Sequence, residues 1–439
     1  MKSSRKILYS LLLAGAQILP ATAQTNGTNS PYSRFGLGML DDQSQGFNKA
    51  MSGLGIGLHA GNRVNMLNPA SYSKADSLTF IFDVGMSLQN GNFSDGSTSV
   101  NAHNTSLDYV NALFRIRKHL GFSFGFVPYS SIGYNFTTSQ HVGTDYVSGN
   151  TITNQSTYYG DGGIHQLYAG IGWEPFRNFS IGANVSYLWG NYYHTVSQTL
   201  YNGSSADANA NNLYRQFNAD ITTYKVDLGI QYDIPINKKN LLTIGAIAGI
   251  GHKINNSATV LTHTTNSDST TQVAPNAFQL PYSFGVGINW KYNNQWSVGA
   301  DVHHEKWADC VMPAIDDKTS VYAAQKGQFL NRTKAVIGAE FVPNRESRRY
   351  LQRVEYKIGA SYSTPYVKVN GQDGPREYGI TAGFGLPITN NINNRSVVNV
   401  SFQWLHCSPS ATSMITENYL RLNVGITFNE KWFMKWKIN

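Results

Sequence analysis

From residue 77 onward, apolar and polar residues alternate with a period of two, which is the pattern of β-strands. In one such segment Phe179, Ile181 and Ala183 share one face, while Ser180 and Gly182 share the other. The predicted strands are 77–89, 104–117, 120–131, 164–174, 179–192, 221–234, 241–253, 279–291, 295–306, 330–342, 352–363, 376–386, 396–406 and 418–430. Most of the chain is therefore predicted to be antiparallel β-sheet.

The links between these strands alternate between short and long. Short links such as 118–119 and 292–294 alternate with long polar links such as 132–163 and 193–220. Short periplasmic turns and long outer loops are typical of transmembrane β-barrels, whereas a soluble sandwich gives no reason for such alternation. The predicted fold class is all-β: a 14-stranded antiparallel transmembrane β-barrel with apolar faces toward lipid and polar faces toward the lumen.

Composition agrees with a barrel. Charged residues make up 14% of the chain, against about 25% in soluble proteins. Beyond the first 20 positions, no apolar run reaches the ~20 residues of a membrane-spanning helix. The net charge of +8 is spread along the sequence, without the dense basic patch of a nucleic-acid interface. We therefore expect lipid, not nucleic acid, as the surrounding partner.

The N-terminus has the features of a secretory signal peptide. Basic residues at positions 2, 5 and 6 precede an apolar stretch over 7–19 and the small-residue site Ala21-Thr22-Ala23. We predict three regions: a cleaved signal peptide (1–23), a periplasmic lead-in and plug (24–76), and the barrel (77–439). The expected location is the outer membrane of a Gram-negative bacterium.

The plug region carries glycines and a short polar motif. Gly53, Gly55, Gly57 and Gly61 precede Asn68-Pro69-Ala70. Glycine permits close approach of two backbones and turns with positive φ. Pro69 biases Asn68 toward an extended backbone, so that the amide is free to bond nearby backbone groups. Both a structural and a gating role are open for this asparagine.

Fourteen strands behind a glycine-rich plug that ends in Asn68-Pro69-Ala70 resemble the FadL/TodX family (OMPP1) of outer-membrane channels for hydrophobic compounds. The resemblance implies passive transport, with a ligand leaving sideways into the membrane beside a kinked third strand. The third predicted strand contains Val127-Pro128. Proline cannot donate to a sheet ladder, so Pro128 marks either a kink or the end of the strand.

The predicted lumen combines an apolar plug with charged walls. A ligand would lie against Leu54, Ile56, Leu58, Met66, Asn68, Pro69 and Ala70. The alternation turns Arg115, Arg117, Lys225, Asp227, Asp301, Lys357 and Arg421 inward. Such charges suit an amphipathic ligand with a carboxylate, or a lumen that is filled and cross-braced.

The sequence contains no convincing catalytic or metal-binding arrangement. In His303-His304-Glu305 the alternation sends His304 away from its neighbours, which makes a metal site a poor hypothesis. We expect no enzyme activity, no metal and no cofactor. Cys310 and Cys407 are expected to be unpaired thiols, because two distant cysteines are weak evidence for a disulfide.

Two functions fit these features. The first is passive uptake of hydrophobic or amphipathic small molecules such as long-chain fatty acids. The second is a structural or accessory role in an outer-membrane secretion or assembly complex, with other outer-membrane proteins as partners. An apolar pocket above the plug favours the first function, and a filled lumen favours the second.

Overall fold

A computed structural model describes residues 28–59, 61–76, 79–207, 209–316, 318–388, 396–411 and 414–431. Fourteen strands form a closed antiparallel barrel, in which the last strand pairs with the first. In chain order they are β1 (Thr79–Ser94), β2 (Ser99–Arg117), β3 (Leu120–Thr144), β4 (Thr151–Phe176), β5 (Phe179–Asn202), β6 (Leu213–Pro235), β7 (Asn240–Gly249), β8 (Ser283–Tyr292), β9 (Trp296–Glu305), β10 (Arg332–Phe341), β11 (Glu355–Ser363), β12 (Arg376–Pro387), β13 (Val397–Ser408) and β14 (Thr416–Lys431). The predicted fold is confirmed, while the predicted signal peptide lies outside the described residues.

Four neighbouring strands are much longer than predicted. β3, β4, β5 and β6 have 25, 26, 24 and 23 residues, whereas about 9–11 residues cross a bilayer. Much of the predicted loops 132–163 and 193–220 is therefore strand. The hairpin of Ala258–Thr264 and Ser267–Ala274 pairs with β6 and widens this raised sheet beyond the long-loop end of the barrel.

The two faces of the wall have the predicted polarity. In β8, Phe284, Val286 and Ile288 are exposed on the outer face, while Asn289 is buried in the lumen. Apolar residues thus face lipid, as a membrane barrel requires. No helix in the described ranges is both long and apolar enough to cross a bilayer.

A packed apolar core lies at the long-loop end of the barrel. It joins side chains from the raised strands, from the long loops and from Leu37 near the N-terminus. Trp307 is wholly buried in this core, between Phe329 and Tyr366. Trp307 follows the end of β9, and the long loops fold inward and cover its ring.

Residues 46–76 fold inside the barrel as a plug. The plug contains a short α-helix, α1 (Gly46–Lys49), and a 3-10 helix over Pro69–Lys74. The segment 28–45 lies above it, toward the long-loop end: Ser30 bonds Glu417 near the outer end of β14, and Gly36 approaches Val367 of a long loop. From the sequence we predict this lead-in at the opposite, short-turn end. The difference arises because its serines and aromatic residues bond and pack within the upper lumen.

Plug and wall approach so closely that side chains are excluded between them. A Cβ atom at Gly245 of β7 would lie 2.0 Å from the carbonyl oxygen of Ile56, and one at Gly57 would lie 2.7 Å from the amide nitrogen of Ile288. The predicted use of the plug glycines for close backbone approach holds at Gly57, and Gly245 of the wall, which was not predicted, serves in the same way.

Valine at position 245 is therefore expected to displace the plug or block barrel assembly. Overpacking of this kind costs about 1–3 kcal/mol or more, and the obstacle here is backbone, which cannot rotate away. Gly143→Val is the matched control, because a Cβ atom there meets nothing within 4 Å. Heat-modifiable mobility on a gel is expected to be lost or weakened for Gly245→Val alone; equal behaviour of both variants contradicts the close fit.

Candidate functional site

One carboxylate on the wall holds the loop at the centre of the plug. Asp301 of β9 is 5% exposed and accepts hydrogen bonds from the backbone amides of Gly55, Ile56 and Gly57 at 2.6, 2.8 and 3.4 Å. Consecutive amides that converge on one anion form strong, charge-assisted hydrogen bonds. The predicted lumen residue Asp301 therefore fastens the plug to the wall.

A buried ionic cluster fastens the plug at the short-turn end. Arg63 of the plug contacts Glu340 of β10 at 2.8 Å and also pairs with Glu355 of β11. Lys357, whose side chain is 1% exposed, lies 2.8 Å from Glu355. Arg345 reaches both glutamates, at 2.9 and 3.1 Å. Three cations thus share two carboxylates across the junction of plug and wall.

The two glutamates and Arg63 are absent from the residues that the sequence predicts for the lumen. A signal for Glu355 is present, since it lies two residues before the inward-facing Lys357 and so shares its face. Glu340 has a signal of the same kind, since it shares its strand face with Arg332 and Lys334. Arg63 has no periodic context, and only the folded plug brings it to the two acids.

The predicted plug residues divide into two groups. Leu54 and Leu58 pack in a small core with Phe47, Met51 and Val336. Ile56 and Met66 line a cavity above the plug. Leu58 also lines a second cavity at the short-turn end, so the predicted ligand-binding set is divided between two cavities and a closed core.

The Asn68-Pro69-Ala70 motif begins the 3-10 helix of the plug and lies against the wall. Asn68 donates to the carbonyl oxygens of Ile56 at 2.8 Å and of Ile230 at 3.1 Å, and it accepts from the amide of Ala70 at 3.1 Å. The asparagine thus caps its own helix while it joins plug to wall.

The lumen cavity lies between the plug and the core at the long-loop end, with a volume of about 230 Å³. Its apolar lining includes Met39, Leu40, Ile247, Leu280 and Leu405. Its charged lining comprises Asp41, Asp42, Lys225, Asp227, Asp301, His303, Glu305, Arg332, Lys334, Glu377 and Arg421. The cavity is amphipathic, not the wholly apolar pocket that uptake of a hydrocarbon would favour.

Several charges of this cavity neutralise one another. Lys225 pairs with Asp227, and Arg332 lies 3.7 Å from Glu305 and 3.5 Å from Glu377. Within the described ranges Lys334 and Arg421 form no ion pair. Among the predicted lumen charges, Arg115 and Arg117 lie apart from the cavity, beside the short turn between β2 and β3.

The barrel wall is interrupted between β2 and β3. Their pairing runs from Arg117 and Leu120 to Val110 and Phe126 and then stops. Beyond that point the described residues of β2 pair with β1 alone, and β3 continues with β4 across a register shift between Pro128 and Ser130. Val127 is the first residue of β3 past the end of the ladder with β2, and Pro128 follows it.

The chain's own N-terminal segment, residues 28–43, fills this interruption. Met39 and Leu40 pair with Ser131 and Ser130 as an added strand on the free edge of β3. The Asp41 amide donates to the carbonyl oxygen of Tyr129 at 3.0 Å. Burial raises the pKa of Asp41 to about 6, although a hydrogen bond from Ser131 opposes this rise.

On the opposite side of the interruption, side chains of the plug and segment reach β2. The amide of Asn29 donates to Asn104 at 2.9 Å. Lys49 of α1 lies 3.2 Å from Asp108. The register of the β1–β2 ladder skips Asp108, whose side chain accepts from Ser87 of β1 at 2.8 Å. The lumen cavity lies directly behind this segment, because Met39 through Gln43 form part of its lining.

The two cysteines take no part in this arrangement. Cys310 and Cys407 are both buried and free, so the prediction of unpaired thiols is confirmed. Among the described residues, no group of three or more His, Cys, Asp or Glu side chains could hold a metal ion.

Solved structures of low sequence identity share this architecture. A FadL homologue from Pseudomonas aeruginosa is 10% identical with a TM-score of 0.61, over 89% of this chain and 99% of that one. The toluene transporter TbuX of Ralstonia pickettii is 14% identical, with a TM-score of 0.56 and coverage of 89% and 99%. The monoaromatic hydrocarbon channel CymD is 12% identical, with a TM-score of 0.57 and coverage of 91% and 99%. These likenesses show a FadL-like barrel fold.

At the level of sequence, no curated protein matches the chain. The sequence profile of one family, BamG, matches residues 4–439. The resemblance to FadL/TodX proteins thus holds for the fold, whereas the family shown by the sequence profile is BamG. With nearly its whole length matched, the chain belongs to the BamG family.

Proposed function

We propose that this outer-membrane barrel is a gated channel that takes up a hydrophobic or amphipathic small molecule by diffusion. The main support is the interrupted wall between β2 and β3, where residues 28–43 of the same chain cover the gap and the lumen cavity lies behind them. The similar folds of CymD and TbuX, which are named as a hydrocarbon channel and a toluene transporter, support the same proposal.

The chemistry of the cavity favours an amphipathic ligand over a pure hydrocarbon. Leu40, Ile247 and Leu405 supply apolar surface for a chain. Lys334 forms no ion pair in the described ranges and can meet a carboxylate by a charge-assisted hydrogen bond. Arg421 donates its Nε–H to Gln89 and has further N–H groups to offer. A long-chain fatty acid has both parts, and Ile56, Met66 and Leu67 of the plug lie below it.

Release of residues 39–43 alone would open the wall, while Ser30 and Leu37 keep the rest of the segment in place. The strand Met39–Leu40 is two residues long, and each hydrogen bond that is lost contributes about 0.5–1.5 kcal/mol. We therefore infer that a ligand entering the cavity can displace residues 39–43 and leave sideways into the membrane. Val127 and Pro128 mark the point at which the wall parts.

Uptake of radiolabelled long-chain fatty acid by cells tests this proposal. Cells with the wild-type barrel are expected to take up the ligand faster than cells without it. Deletion of residues 28–43 is expected to raise the rate further, because it removes the barrier. Equal uptake in cells with and without the protein would overturn the proposal of a channel.

The second candidate function is an accessory subunit of an outer-membrane secretion or assembly complex. Two observations favour it: the plug is fastened by buried charges at Asp301 and Arg63, and β3 to β6 rise far beyond the bilayer as a sheet that a partner protein can contact. Purification from native membranes separates the candidates. Stoichiometric partner proteins without bound lipid favour the subunit; an isolated barrel with bound fatty acid favours the channel.

A further inference from the structure

A second cavity lies at the short-turn, periplasmic end of the barrel, between the plug and the wall. Its volume is about 410 Å³. The lining includes His59 and Arg63 of the plug, Lys291 and Trp296 of β8 and β9, and Arg345 and Arg353 of the turn between β10 and β11. We call it the periplasmic pocket. It is separate from the lumen cavity, with which it shares no lining residue.

The charges around the periplasmic pocket do not balance. Glu340 and Glu355 are already shared by Arg63, Arg345 and Lys357. Lys291 and Arg353 form no ion pair within the described ranges; the Lys291 ammonium donates to the carbonyl oxygen of His59 at 2.8 Å. The pocket thus has an excess of positive charge, and low-dielectric walls strengthen the field of such charges.

Buried polar atoms without hydrogen-bond partners give a second, independent indication of a ligand. Nε of Arg353 and both ring nitrogens of His59 are buried and make no hydrogen bond. His59 is 6% exposed, and its Nε2 lies 3.3 Å from Asp233 without hydrogen-bond geometry. Burial lowers the pKa of His59 to about 4, so the neutral ring has one N–H to donate. Because Asp233 already stands beside His59, the donor that calls for a new partner is Nε of Arg353, since unsatisfied buried donors are rare.

We propose that the periplasmic pocket binds a phosphate-type oxyanion, with Lys291 and Arg353 as its principal ligands. A guanidinium presents N–H groups in a planar fork that matches phosphate, and an ammonium adds a mobile point charge. Arg345 stands at the rim, with its side chain 48% exposed. The same group could come from free phosphate or from the headgroup of a phospholipid in the inner leaflet.

Calorimetric titration of the purified full-length barrel, in a phosphate-free buffer and a neutral detergent, tests the site. One arm uses inorganic phosphate and the other uses dihexanoyl phosphatidylglycerol. Binding of inorganic phosphate identifies the free anion as the source, and binding of the lipid alone identifies the headgroup. Absence of binding in both arms at millimolar concentrations overturns the proposal.

Variants locate the binding. Lys291→Gln and Arg353→Gln are each expected to lower the affinity at least tenfold, which is about 1.4 kcal/mol. The matched controls are Arg348→Gln and Arg349→Gln, which remove exposed charges from the same turn and are expected to change the affinity less than twofold. Equal losses of affinity in all four variants would show general charge attraction and would overturn the proposed binding site. Heat-modifiable mobility verifies that each variant is folded.

Discussion

Replacement of Asp301 with alanine is expected to release the centre of the plug from the wall. The carboxylate accepts three backbone hydrogen bonds from Gly55, Ile56 and Gly57. Hydrogen bonds to a charged group contribute about 1.5–3 kcal/mol each, and buried amides left without an acceptor cost about 1–3 kcal/mol. Because removal of the buried charge offsets part of this loss, we expect a net cost of about 3 kcal/mol.

Hydrogen–deuterium exchange measures this release at the plug itself. A local loss of about 3 kcal/mol corresponds to exchange that is more than about 100-fold faster over residues 50–70. Asp301→Asn keeps one acceptor oxygen at nearly the same volume and is expected to give an intermediate rate. Unchanged protection of the plug in Asp301→Ala would contradict the anchoring role.

The second large effect is expected for Arg63→Met. The variant leaves Glu340 and Glu355 buried with only Lys357 and Arg345 beside them. Breaking a buried ion pair lowers the free energy of unfolding by about 3–5 kcal/mol. Because two cations remain beside the glutamates, we expect a loss at the lower end of that range, about 3 kcal/mol. A lower temperature for conversion of the folded to the unfolded gel band is the expected result.

A rescue and a control make this measurement specific. Adding Glu340→Gln to Arg63→Met removes one of the stranded carboxylates and is expected to restore part of the stability. Arg348→Met removes an exposed arginine from the neighbouring turn and is expected to leave the conversion temperature unchanged, since exposed charges contribute ~0–1 kcal/mol. An equal drop in both arginine variants would contradict the buried cluster.

The sequence predicts the barrel well because lipid imposes a strict alternation on every membrane-spanning strand. Strand segments that extend beyond the bilayer do not need this alternation. The upper part of β3, around Thr137 to Thr144, is a polar hairpin arm in water, and its Thr, Ser and Gln residues show no apolar period. The same composition is typical of a loop, which is why the raised sheet was not predictable.

The interruption of the wall was only partly predictable. Pro128 marks the region, but a proline at a kink and a proline at a strand end give the same sequence signal. The strand Met39–Leu40 that covers the free edge of β3 is two residues long, and two residues carry no periodicity. Its position depends on tertiary contacts of Leu37 and Gly36, which no local pattern reveals.

The most direct test of the gated channel is a disulfide between Leu40→Cys and Ser130→Cys in a Cys310→Ala/Cys407→Ala background. Leu40 and Ser130 are direct partners on the edge of β3, and they lie beside the Asp41–Tyr129 backbone bond as a non-hydrogen-bonded pair. Such pairs have Cα atoms about 4.5 Å apart, within the span of a disulfide.

Fatty-acid uptake is then compared in oxidised and reduced cells. We expect the oxidised variant to take up no more ligand than cells without the barrel, because residues 39–43 cannot leave the gap. Reductant is expected to restore the rate of the cysteine-free background. Full uptake with the disulfide formed would contradict the gate between β2 and β3.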